Sequence, residues 1–138
     1  MKREENHAVE NALGWTETIQ YLVAALESNE YPVTVEGDEY ADADAVRERI
    51  QESPLSVQVR SGWYAPGAND PANPPEEFEI LLSTGGPALR IMGELDEHGQ
   101  PHRAWLEYQD WGTPWTHHYV EGFSDTLLTF CQQFYFGE

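Results

Sequence analysis

The spacing of apolar residues switches from a period near 3.6 to a period of 2 midway along this chain, and that switch limits the fold more than any other feature. In the first part, Ala8, Val9, Ala12, Ile19, Leu22, Val23 and Leu26 recur at helical spacing, which predicts an amphipathic helix over residues 4–28. Gly14-Trp15-Thr16 is a candidate break, with Thr16 placed to cap a second segment over 17–28. After Pro32, the β-branched run Val33-Thr34-Val35 predicts a short strand or extended segment. Asp42 or Asp44 then offers a cap for a short helix through Val46 and Ile50, which Ser53-Pro54 stops.

From Leu55 onward the period is 2. Leu55, Val57 and Val59 alternate with Ser56, Gln58 and Arg60, the pattern of a half-buried strand. Residues 65–75 hold four of the nine prolines and predict a surface loop. Segments 78–83 and 88–95 flank Thr84-Gly85-Gly86-Pro87, a hairpin signal, and a second hairpin across 96–101 leads into a strand over 103–108. After a loop over 109–119, Ser124 and Asp125 open a last helix. There Leu127, Leu128, Phe130, Cys131, Phe134 and Tyr135 supply a wide apolar face. The expectation is one α+β domain over 1–138: a four-stranded antiparallel meander with about three helices packed on one face. The length of 138 residues and the 40% hydrophobic content are enough to bury one core.

Charge narrows the function. There are 25 Asp plus Glu against 7 Lys plus Arg, a formal −18. Nucleic acid and anionic membranes both select for basic patches, and none is present, so a basic partner is expected and direct nucleic-acid or membrane binding is not. No apolar stretch has the length of a membrane span, and a single cysteine forms no internal disulfide, which fits a soluble, cytoplasmic protein. The acids are uneven. Between Glu27 and Glu52 nine of them stand against Arg47 and Arg49, and a later group comprises Glu94, Asp96 and Glu97. On a helix, Asp44, Glu48 and Glu52 would lie ~6 Å apart along the axis. One reading is that these are solvated faces conferring solubility. The other is that they stand where phosphates would, because the net charge is at least twice the magnitude of about 2 to 8 that solubility asks of a small domain.

Motifs for catalysis and cofactor binding are absent. There is no GxSxG, P-loop, GxGxxG, HExxH or CxxC. Residues 37–44 alternate acids without the central Gly of a calcium loop, and the pairs His98/His102 and His117/His118 lack zinc spacing, so no metal or cofactor is expected. Cys131, among Leu128, Phe130 and Phe134, reads as a buried inert thiol. The loop over 108–119 carries Tyr108, Trp111, Trp115 and Tyr119. Trp111 is expected to close the core, with Trp115 and Tyr119 as contact residues.

The run FEILLSTGGPALRIMGELDEHGQPHRAWLEYQDWGTPW and the closing LLTFCQQFYF resemble a family of small acidic, largely uncharacterised accessory proteins carried on plasmids, phages and integrated mobile elements. In charge and size the chain is also similar to antirestriction and anti-CRISPR inhibitors of the DNA-mimic kind. Together these resemblances imply a non-enzymatic inhibitor that occupies the basic groove of a nucleic-acid-binding defence complex. The residues expected to touch that partner are Glu36, Asp38, Glu39, Asp42, Asp44, Glu48 and Glu52, with Glu94, Asp96, Glu97 and Trp115. The alternative is a ligand-binding or protein-interaction module that uses the aromatic loop, with the charge serving solubility alone.

Overall fold

A computed structural model describes residues 2–61, 75–84, 87–110 and 114–136. Of the loop expected over 65–75, residues 65–74 lie outside them, as do the centre of the 84–87 turn and Trp111, whereas Pro75 opens a strand. The first helix, α1 (Lys2–Ser28), is continuous, and Gly14 does not break it. Ala8, Ala12, Ile19, Leu22 and Val23 form one buried stripe through that point. Burying the stripe outweighs the ~1 kcal/mol by which a mid-helix Gly disfavours the helix. Thr16 is no N-cap: it is buried, and its hydroxyl donates to the Ala12 carbonyl at 2.8 Å. Asn29, in the left-handed region at φ 58°, ends the helix.

A two-stranded antiparallel hairpin follows, β1 (Val33–Val35) with β2 (Asp38–Tyr40). Its two-residue turn puts Glu36 at φ 50° and Gly37 at φ 93°, the twist that tight hairpins require. The Glu36 carboxylate accepts a 3.0 Å hydrogen bond from Thr18 Oγ1, tying the turn to α1. Helix α2 (Ala43–Glu52) is capped by Asp42, whose carboxylate accepts from the Ala45 amide at 2.9 Å. It packs against α1 and touches β2, burying Val46 and Ile50.

The main sheet has five strands, not four, in the order of a meander: β3 (Ser56–Ser61), β4 (Pro75–Ser83), β5 (Ala88–Leu95), β6 (Pro101–Gln109) and β7 (Thr116–His118). The fifth strand lies in the expected loop over 109–119 and pairs Thr116, His117 and His118 with Tyr108, Glu107 and Leu106. One sheet face carries Phe78, Ile80, Leu82, Leu89, Ile91, Leu95 and Leu106 into the core, where α1 and α3 (Ser124–Cys131) cover it. The last helix ends at Cys131, short of Phe134 and Tyr135. Phe136 is buried with its ring 4.7 Å from that of Phe78, whereas Tyr135 is exposed. Cys131 is wholly buried, and burial pushes its thiol well above the usual value.

The expected half-burial of β3 is also corrected. Leu55, Val57 and Val59 are 62%, 37% and 41% exposed. Their register opposite Phe78 and Ile80 places Val57 and Val59 on the core face, but the helices pack over β5 and β6 and stop short of this edge.

Candidate functional site

Two surfaces carry the unusual chemistry. The first is the acidic segment over 36–52, where hairpin and α2 adjoin. Every carboxylate here is exposed, and the positions opposite Val46 and Ile50 on α2 turn Asp44, Glu48 and Glu52 toward solvent. Asp42 is engaged as the helix cap, Glu36 with Thr18, and Asp44 with Arg47 at 2.8 Å. Arg47 also reaches Gln133, and Arg49 turns to Ser53. Among the described residues Asp38, Glu39, Glu48 and Glu52 have no ion pair or side-chain hydrogen bond.

The second acidic group is not gathered on that segment. Glu94 projects from the opposite, open face of the sheet, within 3.2 Å of Arg103 and 3.8 Å of His102. Asp96 folds into its own turn and accepts from the Gln100 and His98 amides. Those two bonds hold its carboxyl below the ordinary range. Glu97 is exposed at the tip beside His98.

The open face is the second surface, and its network is not anticipated by any sequence motif. The strand registers align Ser56, Leu81, Arg90, Glu107 and His117 in one row across the sheet. A second row holds Gln58, Glu79, Met92 and Trp105, and a third Arg60, Glu77, Glu94 and Arg103. Arg90 donates to Glu79 at 2.8 Å and to Glu107 at 2.7 Å, and its guanidinium lies 4.0 Å from the centre of the Trp115 ring. The Trp105 indole N–H donates to the other Glu107 oxygen at 2.8 Å, and Arg103 lies over the Trp105 ring. Arg60 pairs with Glu77. A shallow concavity of about 230 Å³ lies between Arg60, Glu77, Glu79 and Arg90. Trp115 is therefore half-buried against Arg90, and Tyr119 is 73% exposed.

Burial opposes ionisation of Glu107, but the Trp105 N–H and the Arg90 guanidinium outweigh it and hold the carboxyl below its ordinary range. Glu107 thus stabilises the fold above the unfolded carboxylate range near ~4.3, and that contribution fades as pH falls through the lower folded value. Replacing Arg90 with Met leaves the half-buried Glu79 and Glu107 without this counter-ion, Glu107 keeping the Trp105 N–H. We expect a loss of about 1–2 kcal/mol at neutral pH, less than for a fully buried pair because the network is partly wet. The deficit should shrink near pH ~4, where Glu107, no longer held low by Arg90, can take a proton. Urea unfolding at the two pH values checks both signs.

His118 faces the core side of β7, edge-on to Tyr108, and its buried Nε2 has no hydrogen-bond partner. Burial, then the neighbouring His117, pushes its pKa below the ordinary imidazole value. The unfolded chain takes up this proton near pH ~6.5 and the folded chain resists it, so stability falls as pH drops from there toward the lower folded value. His118→Phe should raise stability at pH 7 by about 1 kcal/mol, by removing the unpaired polar atom. It should also flatten the melting-temperature profile between about pH 6.5 and 5.5, a window above the carboxylates. Thermal melts across that window test it.

Among the described residues no group of three or more His, Cys, Asp and Glu side chains stands together to hold a metal ion. No described helix is long and apolar enough to cross a membrane. Compared with protein families, curated proteins and solved structures, the chain matches none.

Proposed function

We propose that this protein is a non-enzymatic inhibitor of the anti-CRISPR or antirestriction type, a cytoplasmic accessory of a mobile element, whose acidic segment over 36–52 occupies the basic groove of a nucleic-acid-binding complex. The observation that carries the reading is the contrast between two sets of acids. On the sheet face, Glu77, Glu79, Glu94 and Glu107 are each matched by an arginine. On the hairpin and α2, Asp38, Glu39, Glu48 and Glu52 stand exposed with no internal partner among the described residues. Unmatched like charges on one segment weaken the fold by mutual repulsion, and a partner's Arg and Lys side chains relieve it. The helix holds Asp44, Glu48 and Glu52 in a row at ~6 Å intervals along its axis. Glu94, Asp96 and Trp115 are already engaged within the molecule and Glu97 stands at the tip of its own hairpin, so the proposed contact centres on the acids over 36–52.

The test is competition. The protein is mixed with DNA-binding effectors of restriction and CRISPR systems, and their DNA binding is followed as salt rises. Inhibition should be strong at low salt and fade as ions screen the contact beyond ~10 Å at 0.1 M. Failure to displace DNA from any basic effector at low salt would exclude mimicry.

A further inference from the structure

We infer that the free edge of the main sheet, strand β3, is a self-association surface on which a second copy of this chain pairs antiparallel, joining two five-stranded sheets into one. This inference does not rest on the acidic contact proposed above. Strand β3 ends the strand order, and among the described residues nothing pairs with its outer side. Its row Leu55, Val57 and Val59 continues the core face past the helices and remains exposed. An apolar edge strand of this kind is a template for another strand, and residues 55–59 carry none of the Lys, Pro or inward charge that ordinarily guards one.

Charge identifies the occupant as another copy. Two chains of formal charge −18 repel wherever acids face each other. Yet residues 53–61, which lead into and form this strand, carry no acid and one base, Arg60. At this edge two copies can therefore meet without setting the carboxylates of one strand against those of the other. The strand is also self-complementary. Pairing about a two-fold axis at Val57 sets Leu55 of one copy against Val59 of the other and Val57 against its own mate, a continuous apolar row on one face.

Sedimentation equilibrium over a range of concentrations tests this. A species of twice the 15.7 kDa chain mass should appear. It should become more prevalent at about 0.5 M salt, where the screening length falls to about 4 Å. That is opposite to the salt response of the acidic contact. A Val57→Cys variant should crosslink across the two-fold axis on oxidation, because Cys131 is buried and does not compete. Combined Val57→Lys and Val59→Lys should abolish the dimer while leaving the melting transition in place, since both side chains are exposed. A monomer at every concentration in high salt overturns the proposal. So does failure of the Val57→Cys variant to crosslink, or a dimer that survives in the folded double-lysine variant. If the lysine variant does not fold, the crosslink decides.

Discussion

Replacing Gly93 with alanine is expected to destabilise the protein by about 3 kcal/mol or more, at the upper end of what overpacking costs. Gly93 lies within β5, opposite Phe78 on β4 and Ala104 on β6. The Phe78 ring lies across it. A Cβ at this position would approach the ring and the Arg103 carbonyl oxygen more closely than the 3.0 Å that real Cβ contacts keep. The ring cannot simply rotate away, because it is buried and packs against Phe136. The carbonyl belongs to the adjacent strand, so relief on that side requires the sheet to part. Urea unfolding of the variant measures the loss. Adding Phe78→Leu should recover only part of it, since the backbone clash remains. A loss below about 1 kcal/mol would show that the three strands yield more easily than a close-packed sheet should.

The second large effect is on binding. Neutralising Asp38, Glu39, Asp44, Glu48 and Glu52 together, each to its amide, should weaken capture of a basic effector by about fivefold to several thousandfold. The range follows from 0.2–1 kcal/mol for each exposed ion pair, and a decade in affinity for every ~1.4 kcal/mol. Asp42 and Glu36 are left intact because one caps α2 and the other ties the hairpin to α1. The same variant should melt at a nearly unchanged temperature, because relief of the like-charge repulsion one turn apart offsets loss of the exposed Asp44–Arg47 pair, each a matter of a few tenths of a kcal/mol. Weaker binding with undiminished stability separates a contact role from a structural one. Full inhibition by the neutralised protein at low salt would assign the contact elsewhere.

Much of the fold is legible in contiguous residues. Asp42 with Val46 and Ile50 specifies α2 and its cap, and the alternation on either side of 84–87 and 96–101 specifies three strands with their hairpins. What was not legible depended on neighbours distant in sequence. The strand Thr116–His118 has no apolar alternation of its own and exists because β6 offers it a partner. Gly14 reads as a break and is overridden by the stripe that α1 buries. Leu55, Val57 and Val59 read as half-buried and lie exposed, because their alternation shows which face they share but not how far the helices extend.

The candidate site divides along the same line. The density of acids over 36–52, their helical row and the scarcity of nearby bases are properties of contiguous residues, and the sequence by itself determined them. Which acids would be neutralised was decided only by the tertiary structure. Glu79 and Glu107 are far apart in the chain, and register brings both to Arg90. The same register sets Glu94 beside Arg103 and Glu77 beside Arg60. Charges pair through a few ångströms of space, and antiparallel strands make neighbours of residues that the sequence separates.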